Sequence, residues 1–209
     1  MSQTDRNHGV VAGLLLSCYD MHNTDKEKEV IITGIPYVGI NTEITCSMSS
    51  CLTMLLQFYG LYTDQESLAE MFGHAYLSSG FRDWNHDHRN AERSAAGEMM
   101  ACAQYLMDTQ FRSVSSDIVV TDMVKIKLSY TKRNIPVILN GRFPLLSGTV
   151  PNTVLVKGYV DDYMIVNDPR GNAMSVYRDK LGENMLYSMD SLGSWVARGR
   201  VYVLRILPK

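Results

Sequence analysis

The sequence predicts an α+β domain in which N-terminal helices pack on a C-terminal antiparallel sheet, and the hydrophobic pattern supports this twice. In roughly the first 130 residues, apolar side chains recur mainly at helical spacing. Beyond that point they form short runs or alternate with period two, which is typical of strands. Helical segments therefore precede strand segments, an order that favours α+β over alternating βαβ units.

The first half of the chain predicts one strand and three helices. A strand at 29–35 ends at a Pro36 turn, and a buried helix follows at 47–59. Thr63 and Glu66 have the spacing of a capping box, which predicts the start of a second helix. Residues 81–93 are polar and charged, so they predict a loop before a third helix at 95–107.

The second half begins with a helix at 121–132, capped by Thr121, and then changes character. Strands are predicted at 136–139, 154–159, 163–166 and 201–207, with a short helix at 189–197 before the last of them.

Composition indicates one domain, without the excess of basic residues that is typical of a nucleic-acid-binding protein. The chain has 209 residues, 45% of them hydrophobic, which is enough for one buried core. We expect a domain over 29–209, with 1–28 as an N-terminal extension or a first core element. A net charge of −2 argues against nucleic-acid binding, and no apolar run has the length of a membrane span.

The N-terminus and the cysteines bear on export and on metal binding. Residues 10–16 run into Ser17-Cys18, which faintly resembles a lipoprotein cleavage box, but Asp5 beside Arg6 makes a poor positive region. We therefore expect no signal peptide. The four cysteines contain no C-x-x-C pair, so we expect mostly free thiols in a reducing compartment.

A polar stretch offers ligand-type side chains in Asp83, His86, Asp87 and His88. A metal site there is an alternative, but such a loop is usually a solvated surface. We predict neither a metal nor a cofactor.

Two segments carry most of the functional information. Residues 41–60 read NTEITCSMSSCLTMLLQFYG and residues 152–169 read NTVLVKGYVDDYMIVNDP. Together they resemble C39-like cysteine peptidases, which have the papain-like fold. In that family a Gln lies six residues before a Cys that opens a helix, and a His begins a strand that leads through Gly-Tyr to Asn-Asp-Pro. The weaker similarity extends from about Pro36 to the final strand.

The resemblance implies a site at five positions of this sequence: Asn41, Cys46, Ser47, Asn152 and Asp168. Asn41 takes the place of the oxyanion Gln, and Asp168 that of the acid that orients the His. The nucleophile position is Ser47 or Cys46, depending on the register. We favour Ser47, because the residues on both sides of it then align. Counting back from Gly158 or from Asp168 puts the His position at Asn152.

The absent histidine dominates the functional interpretation. No histidine of the chain follows His88, whereas the family's catalytic His belongs to the second half. An amide does not accept a proton near neutral pH, so a Ser or Cys at the helix start lacks its usual base.

Three functions remain open. The first is an inactive relative whose cleft binds a peptide or protein. The second is an active cysteine hydrolase that uses Cys46 with Asp168 and a base such as His74 or His86. The third is a structural subunit, a homo-oligomer or part of a larger assembly. Export systems and phage particles, where the resemblance places such domains, fit the first and third, and we expect a cytoplasmic or particle-bound protein.

Overall fold

The computed structural model describes residues 29–40, 46–78, 91–196 and 201–209. Its helices are α1 (Ser47–Phe58), α2 (Gln65–Ser78), α3 (Ala91–Gln110), an irregular α4 built from Met123–Lys125, Ile126–Tyr130 and Thr131–Arg133, and α5 (Met189–Val196). Its strands are β1 (Glu29–Ile31), β2 (Val114–Thr121), β3 (Val137–Leu145), β4 (Gly148–Val160), β5 (Tyr163–Asn167), β6 (Met185–Ser188) and β7 (Val201–Pro208).

The seven strands found in these residues form one antiparallel sheet. Their order is β2-β7-β3-β4-β5-β6, and β1 pairs with the end of β4. β4 is the organising strand, because it pairs with β3 along one side and with β5 and β1 near its C-terminal end. The predicted α+β class with an antiparallel sheet is confirmed.

Alternation along the strands divides the core between the two faces of the sheet. Leu155 of β4 faces α1, α2 and α3, in a cluster that we call the helical-face core. Its neighbours Val154 and Val156 face α4 and α5, in the opposite-face core. Because both faces of the sheet are covered, the buried middle of β4 is a nearly continuous apolar run rather than a period-two alternation.

The first helix follows its prediction closely, since Ser47–Phe58 nearly equals 47–59. Its first ten residues are all buried, so this helix is held by packing on every side rather than by one apolar face. The predicted helices at 95–107 and 189–197 are also present, as α3 and α5.

Two predicted caps are wrong by one residue. The backbone N–H of Ser67 donates to the Asp64 carboxylate at 2.8 Å, so Asp64, and not Thr63, caps α2. Asp122 caps α4 in the same way through the N–H of Lys125, while the predicted cap Thr121 ends β2. A carboxylate accepts these hydrogen bonds more strongly than a hydroxyl does, which explains the choice.

Other boundaries differ because turns and edges override the local pattern. β1 ends at Ile31, before Gly34 adopts a φ of +81°. α3 begins at Ala91, so the end of the predicted loop at 81–93 is helical, and its residues 81–90 lie outside the described part of the chain. The strands β2 and β6, at the two ends of the sheet order, were not predicted.

Candidate active site

The site begins at the N-terminus of α1, where Cys46 is the capping residue. The sulfur of Cys46 accepts a hydrogen bond from the Ser49 backbone N–H at 3.4 Å, and the backbone N–H of Cys46 donates to the Ser49 hydroxyl at 3.1 Å. Cys46 also packs against the helical-face core. The thiol is therefore occupied in closing the helix end.

Ser47, the next residue, contacts the sheet instead. Its hydroxyl oxygen accepts a hydrogen bond from the backbone N–H of Thr153 at 3.0 Å, and only 8% of its surface is exposed. Cys51, one turn further along α1, donates its thiol to the Thr153 carbonyl at 3.5 Å. These two contacts dock the start of α1 on β4, directly after Asn152. Bond lengths then place the Ser47 hydroxyl within about 6 Å of the Asn152 Cβ.

Asn152 is almost fully buried, with 1% of its surface exposed. Its amide nitrogen donates to the Asp168 carboxylate and to the Tyr177 hydroxyl, both at 2.9 Å. An ionised carboxylate only accepts hydrogen bonds, so the nitrogen of the amide must face Asp168. The amide oxygen is buried and has no hydrogen-bond partner.

Asp168 lies at the centre of this cluster and is fully buried. Its carboxylate accepts from Asn152, from the Tyr187 hydroxyl at 2.9 Å and from the backbone N–H of Arg170 at 3.0 Å. The last bond is the Asx turn that the Asp-Pro-Arg-Gly sequence indicates. Burial raises the pKa of Asp168 to about 6, although the hydrogen bonds from Asn152 and Tyr187 oppose the rise.

The burial and negative charge at Asp168 also change the pKa values of the two neighbouring tyrosines, Tyr177 and Tyr187. Burial raises the pKa of Tyr177 and of Tyr187, and the negative charge of Asp168 raises both further. Both phenols therefore stay neutral at physiological pH. Tyr187 also accepts a hydrogen bond from the Ala173 N–H at 2.9 Å, which fixes its ring in the opposite-face core.

The chain just before the site lies across the Asp168 turn. Tyr37 donates its hydroxyl to the Asp168 carbonyl at 3.1 Å, and the Ile40 N–H donates to the Pro169 carbonyl at 2.9 Å. The side-chain amide nitrogen of Gln65 donates a hydrogen bond to the Gly39 carbonyl at 3.0 Å. Asn41, the residue at the oxyanion position, follows directly but lies outside the described residues.

The structure thus brings Ser47, Asn152 and Asp168 together, and places Cys46 beside them with its thiol in the helix cap.

The alternative bases and the metal alternative have a different outcome. His74 is exposed on α2. The other base that the sequence offered, His86, and the metal alternative at residues 83–88 lie outside the described residues. In the described ranges no three His, Cys, Asp or Glu residues could hold a metal ion.

Sequence reasoning missed Thr153, Arg170, Tyr177 and Tyr187. Nothing in the local pattern marks Thr153, Tyr177 or Tyr187, because they reach the site through a backbone N–H, a loop and an unpredicted strand. Only Arg170 had a signal, its place in the Asp-Pro-Arg-Gly turn.

With this geometry in place, the class of the protein follows. The N-terminus of α1 is docked on β4 next to Asn152, and Asp168, which directly follows β5, is hydrogen-bonded to Asn152. This is the arrangement of a papain-like peptidase fold. The chain belongs to the Peptidase_C39 like family, whose sequence profile matches residues 32–203. The predicted family is confirmed.

Solved structures agree with this assignment. A C39-like peptidase from Bacillus anthracis superposes with a TM-score of 0.53 at 14% identity, over 88% of this chain and 99% of that one. The peptidase domain of Streptococcus ComA, a bi-functional ABC transporter of a quorum-sensing pathway, gives the same TM-score and identity over 84% and 100%. Identities this low show the fold alone. A search of curated protein sequences found no significant match.

None of the described helices combines the length and apolar character that crossing a membrane requires.

Proposed function

We propose that this chain is a catalytically inactive C39-like domain that binds a peptide or protein segment in the cleft beside α1. The observation that carries the proposal is the 2.9 Å hydrogen bond from the Asn152 amide to Asp168. A carboxylate that orients an imidazole in an active peptidase orients an amide in this chain.

The chemistry of the three residues supports inactivity. A serine or cysteine nucleophile needs a neighbouring base to take its proton, and the Asn152 amide does not ionise near neutral pH. Asp168 is a poor substitute base, because it is fully buried and its oxygens already accept three hydrogen bonds. Loss of the base in such a triad lowers kcat on the order of 10⁴-fold or more.

The same residues support binding. The Asn152 amide oxygen is a buried acceptor without a partner, and burying an unsatisfied acceptor costs about 1–3 kcal/mol. A ligand that supplies an N–H recovers that cost. The backbone of a peptide supplies such donors at regular intervals.

No observation in the described residues favours the alternative of an active hydrolase based on Cys46. Its sulfur caps α1 and packs toward the helical-face core, and the structure gives it no bond to Asp168. That alternative and a purely structural role in an assembly are therefore outcomes of the following test.

The test introduces the cysteine and the histidine of an active peptidase at positions 47 and 152. Ser47→Cys, Asn152→His and the double variant are compared by their rates of alkylation with iodoacetamide at pH 6. In the double variant an imidazolium lies beside the new thiol and stabilises its thiolate, so we expect alkylation at least about tenfold faster than in Ser47→Cys alone. Equal rates in the two variants would show that position 152 does not face position 47.

Wild type and Cys46→Ala are then treated with a peptide carrying a thiol-reactive group. Labelling of Cys46 that requires the folded protein and is accompanied by peptide hydrolysis would favour the active hydrolase. A stable oligomer that shows no binding to any peptide of a synthetic pool would favour the assembly role. We expect neither, and we expect peptides from the pool to raise the Tm of wild type.

A further inference from the structure

Arg170 has an unsatisfied side chain beside this site. Its guanidinium lies over the ring of Tyr177, with 5.8 Å from its central carbon to the ring centroid. Its Nε atom is buried and has no hydrogen-bond partner. Within the described part of the chain, Arg170 forms no ion pair, although a buried cationic donor normally has an anionic or carbonyl partner.

The nearest carboxylate does not serve as that partner. The oxygens of Asp168 accept hydrogen bonds from Asn152, from Tyr187 and from the backbone N–H of Arg170, and none comes from the guanidinium. Asp168 therefore attracts the Arg170 side chain through its charge without satisfying its donors.

Tyr177 connects Arg170 to Asn152. The hydroxyl of Tyr177 accepts from the Asn152 amide at 2.9 Å, while the face of the same ring carries the guanidinium. Adding these distances to the radius of a phenol places the guanidinium within roughly 12 Å of the Asn152 amide. Val176 and Tyr177 both adopt left-handed backbone conformations, with φ of +48° and +62°. Non-glycine residues disfavour this region, so the turn that aims Tyr177 at the site is held against a local preference.

Two unsatisfied groups of opposite polarity thus lie on one cluster. The Asn152 oxygen needs a donor, and the Arg170 Nε–H needs an acceptor. We propose that Arg170 and Asn152 form a recognition site for a peptide carboxylate, in which the ligand's carboxylate pairs with the guanidinium and a backbone N–H of the ligand donates to the Asn152 oxygen. The inference rests on the proposed function, since it names the chemistry of the peptide that the inactive cleft binds.

The carboxylate comes from a peptide C-terminus or from an acidic side chain, and three probes distinguish these sources. They are N-acetyl-trialanine with a free carboxyl terminus, the same peptide amidated, and the amidated peptide with its central alanine replaced by aspartate. Each is titrated into the full chain, while ¹⁵N-resolved NMR follows the arginine Nε–H and asparagine side-chain signals. Arg170→Gln is the test variant, and Arg112→Gln, at an exposed position, is the matched control.

We expect at least one carboxylate peptide to shift the Nε–H signal of Arg170 and the amide signal of Asn152. We also expect Arg170→Gln to weaken that binding at least about tenfold, with Arg112→Gln unchanged. Response to the free acid alone identifies a C-terminal carboxylate as the ligand, and response to the aspartate peptide alone identifies a side chain. Circular dichroism of Arg170→Gln establishes that the variant is folded, and Arg170→Lys, which keeps the charge, retains part of the affinity.

Three results would overturn the inference. If all three peptides bind equally and shift only the Asn152 signal, the carboxylate is not recognised, but the cleft still binds peptides. If the acids bind Arg170→Gln as well as wild type, the carboxylate is held elsewhere. If none of these probes binds and the synthetic pool also fails to raise the Tm, the proposed function fails with it.

Discussion

Protonation of Asp168 should control the stability of this domain in a direction opposite to that of most carboxylates. A salt-bridged aspartate usually stabilises a protein as the pH rises, because its pKa is lowered on folding. Asp168 is instead buried without a hydrogen-bonded cation, and its pKa rises from 3.8 to about 6. The folded protein therefore holds the Asp168 proton more tightly than the unfolded chain does.

The magnitude follows from the size of the shift. A rise of about two pKa units corresponds to about 3 kcal/mol at 1.36 kcal/mol per unit. This contribution to stability is fully present below the unfolded pKa, near pH 4. It is lost as the pH rises through about 6, where the folded protein releases the proton, and it is absent at pH 7.

The assay compares wild type with Asp168→Asn, which keeps the shape of the side chain but does not titrate. Chemical unfolding at intervals between pH 3.5 and 7.5 gives the free energy of unfolding of both proteins. Subtracting the two curves removes the contribution of the other carboxylates. The fixed effect of the substitution on the hydrogen bonds to Asn152 and Tyr187 appears as a constant offset.

We expect wild type to lose about 3 kcal/mol relative to Asp168→Asn between pH 4 and pH 7. A flat difference would mean that Asp168 has the same pKa in the folded and unfolded states. A difference of opposite sign would mean that a hydrogen-bonded cation reaches the carboxylate, and either result would refute the buried arrangement described above.

Two further predictions concern the geometry of the site. Ser47→Ala should lower the free energy of unfolding by about 1–3 kcal/mol, because it leaves the buried N–H of Thr153 without an acceptor. Ser47→Thr keeps the hydroxyl and should lose less stability, and a loss below about 0.5 kcal/mol for Ser47→Ala would contradict the docking contact. Gly182→Ala should lower the Tm and cost about 1–3 kcal/mol of stability, because the added methyl group would overlap the Asp168 carbonyl. Gly73→Ala, in open space on a helix, should instead stabilise the protein by about 0.5–1 kcal/mol. Equal effects of the two substitutions would show that the close approach of residue 182 to the Asp168 carbonyl does not require glycine.

The edges of the sheet show where the sequence pattern failed. For the central strands β3, β4 and β7, the segments 136–139, 154–159 and 201–207 were predicted because they are mostly apolar, as suits strands covered on both faces. β2 lies at one end of the sheet and is mostly half-buried, and β6 at the other end has four residues. Edge strands bury too little surface to impose a clear alternation, so only the pairing partners identified them.

The sequence by itself predicted a helix at 47–59, the family, and a site that groups the start of this helix with Asn152 and Asp168, because motif spacing along two short segments constrains all three. It also determined that no histidine follows residue 88. Only the tertiary structure decided that Ser47 contacts the sheet while the Cys46 thiol caps the helix. Two adjacent residues of a helix start point about 100° apart, and the docking of α1 on β4 selects which one faces the site. The roles of Tyr177 and Arg170 were likewise decided by loop conformations, which carry no periodic signal in the sequence.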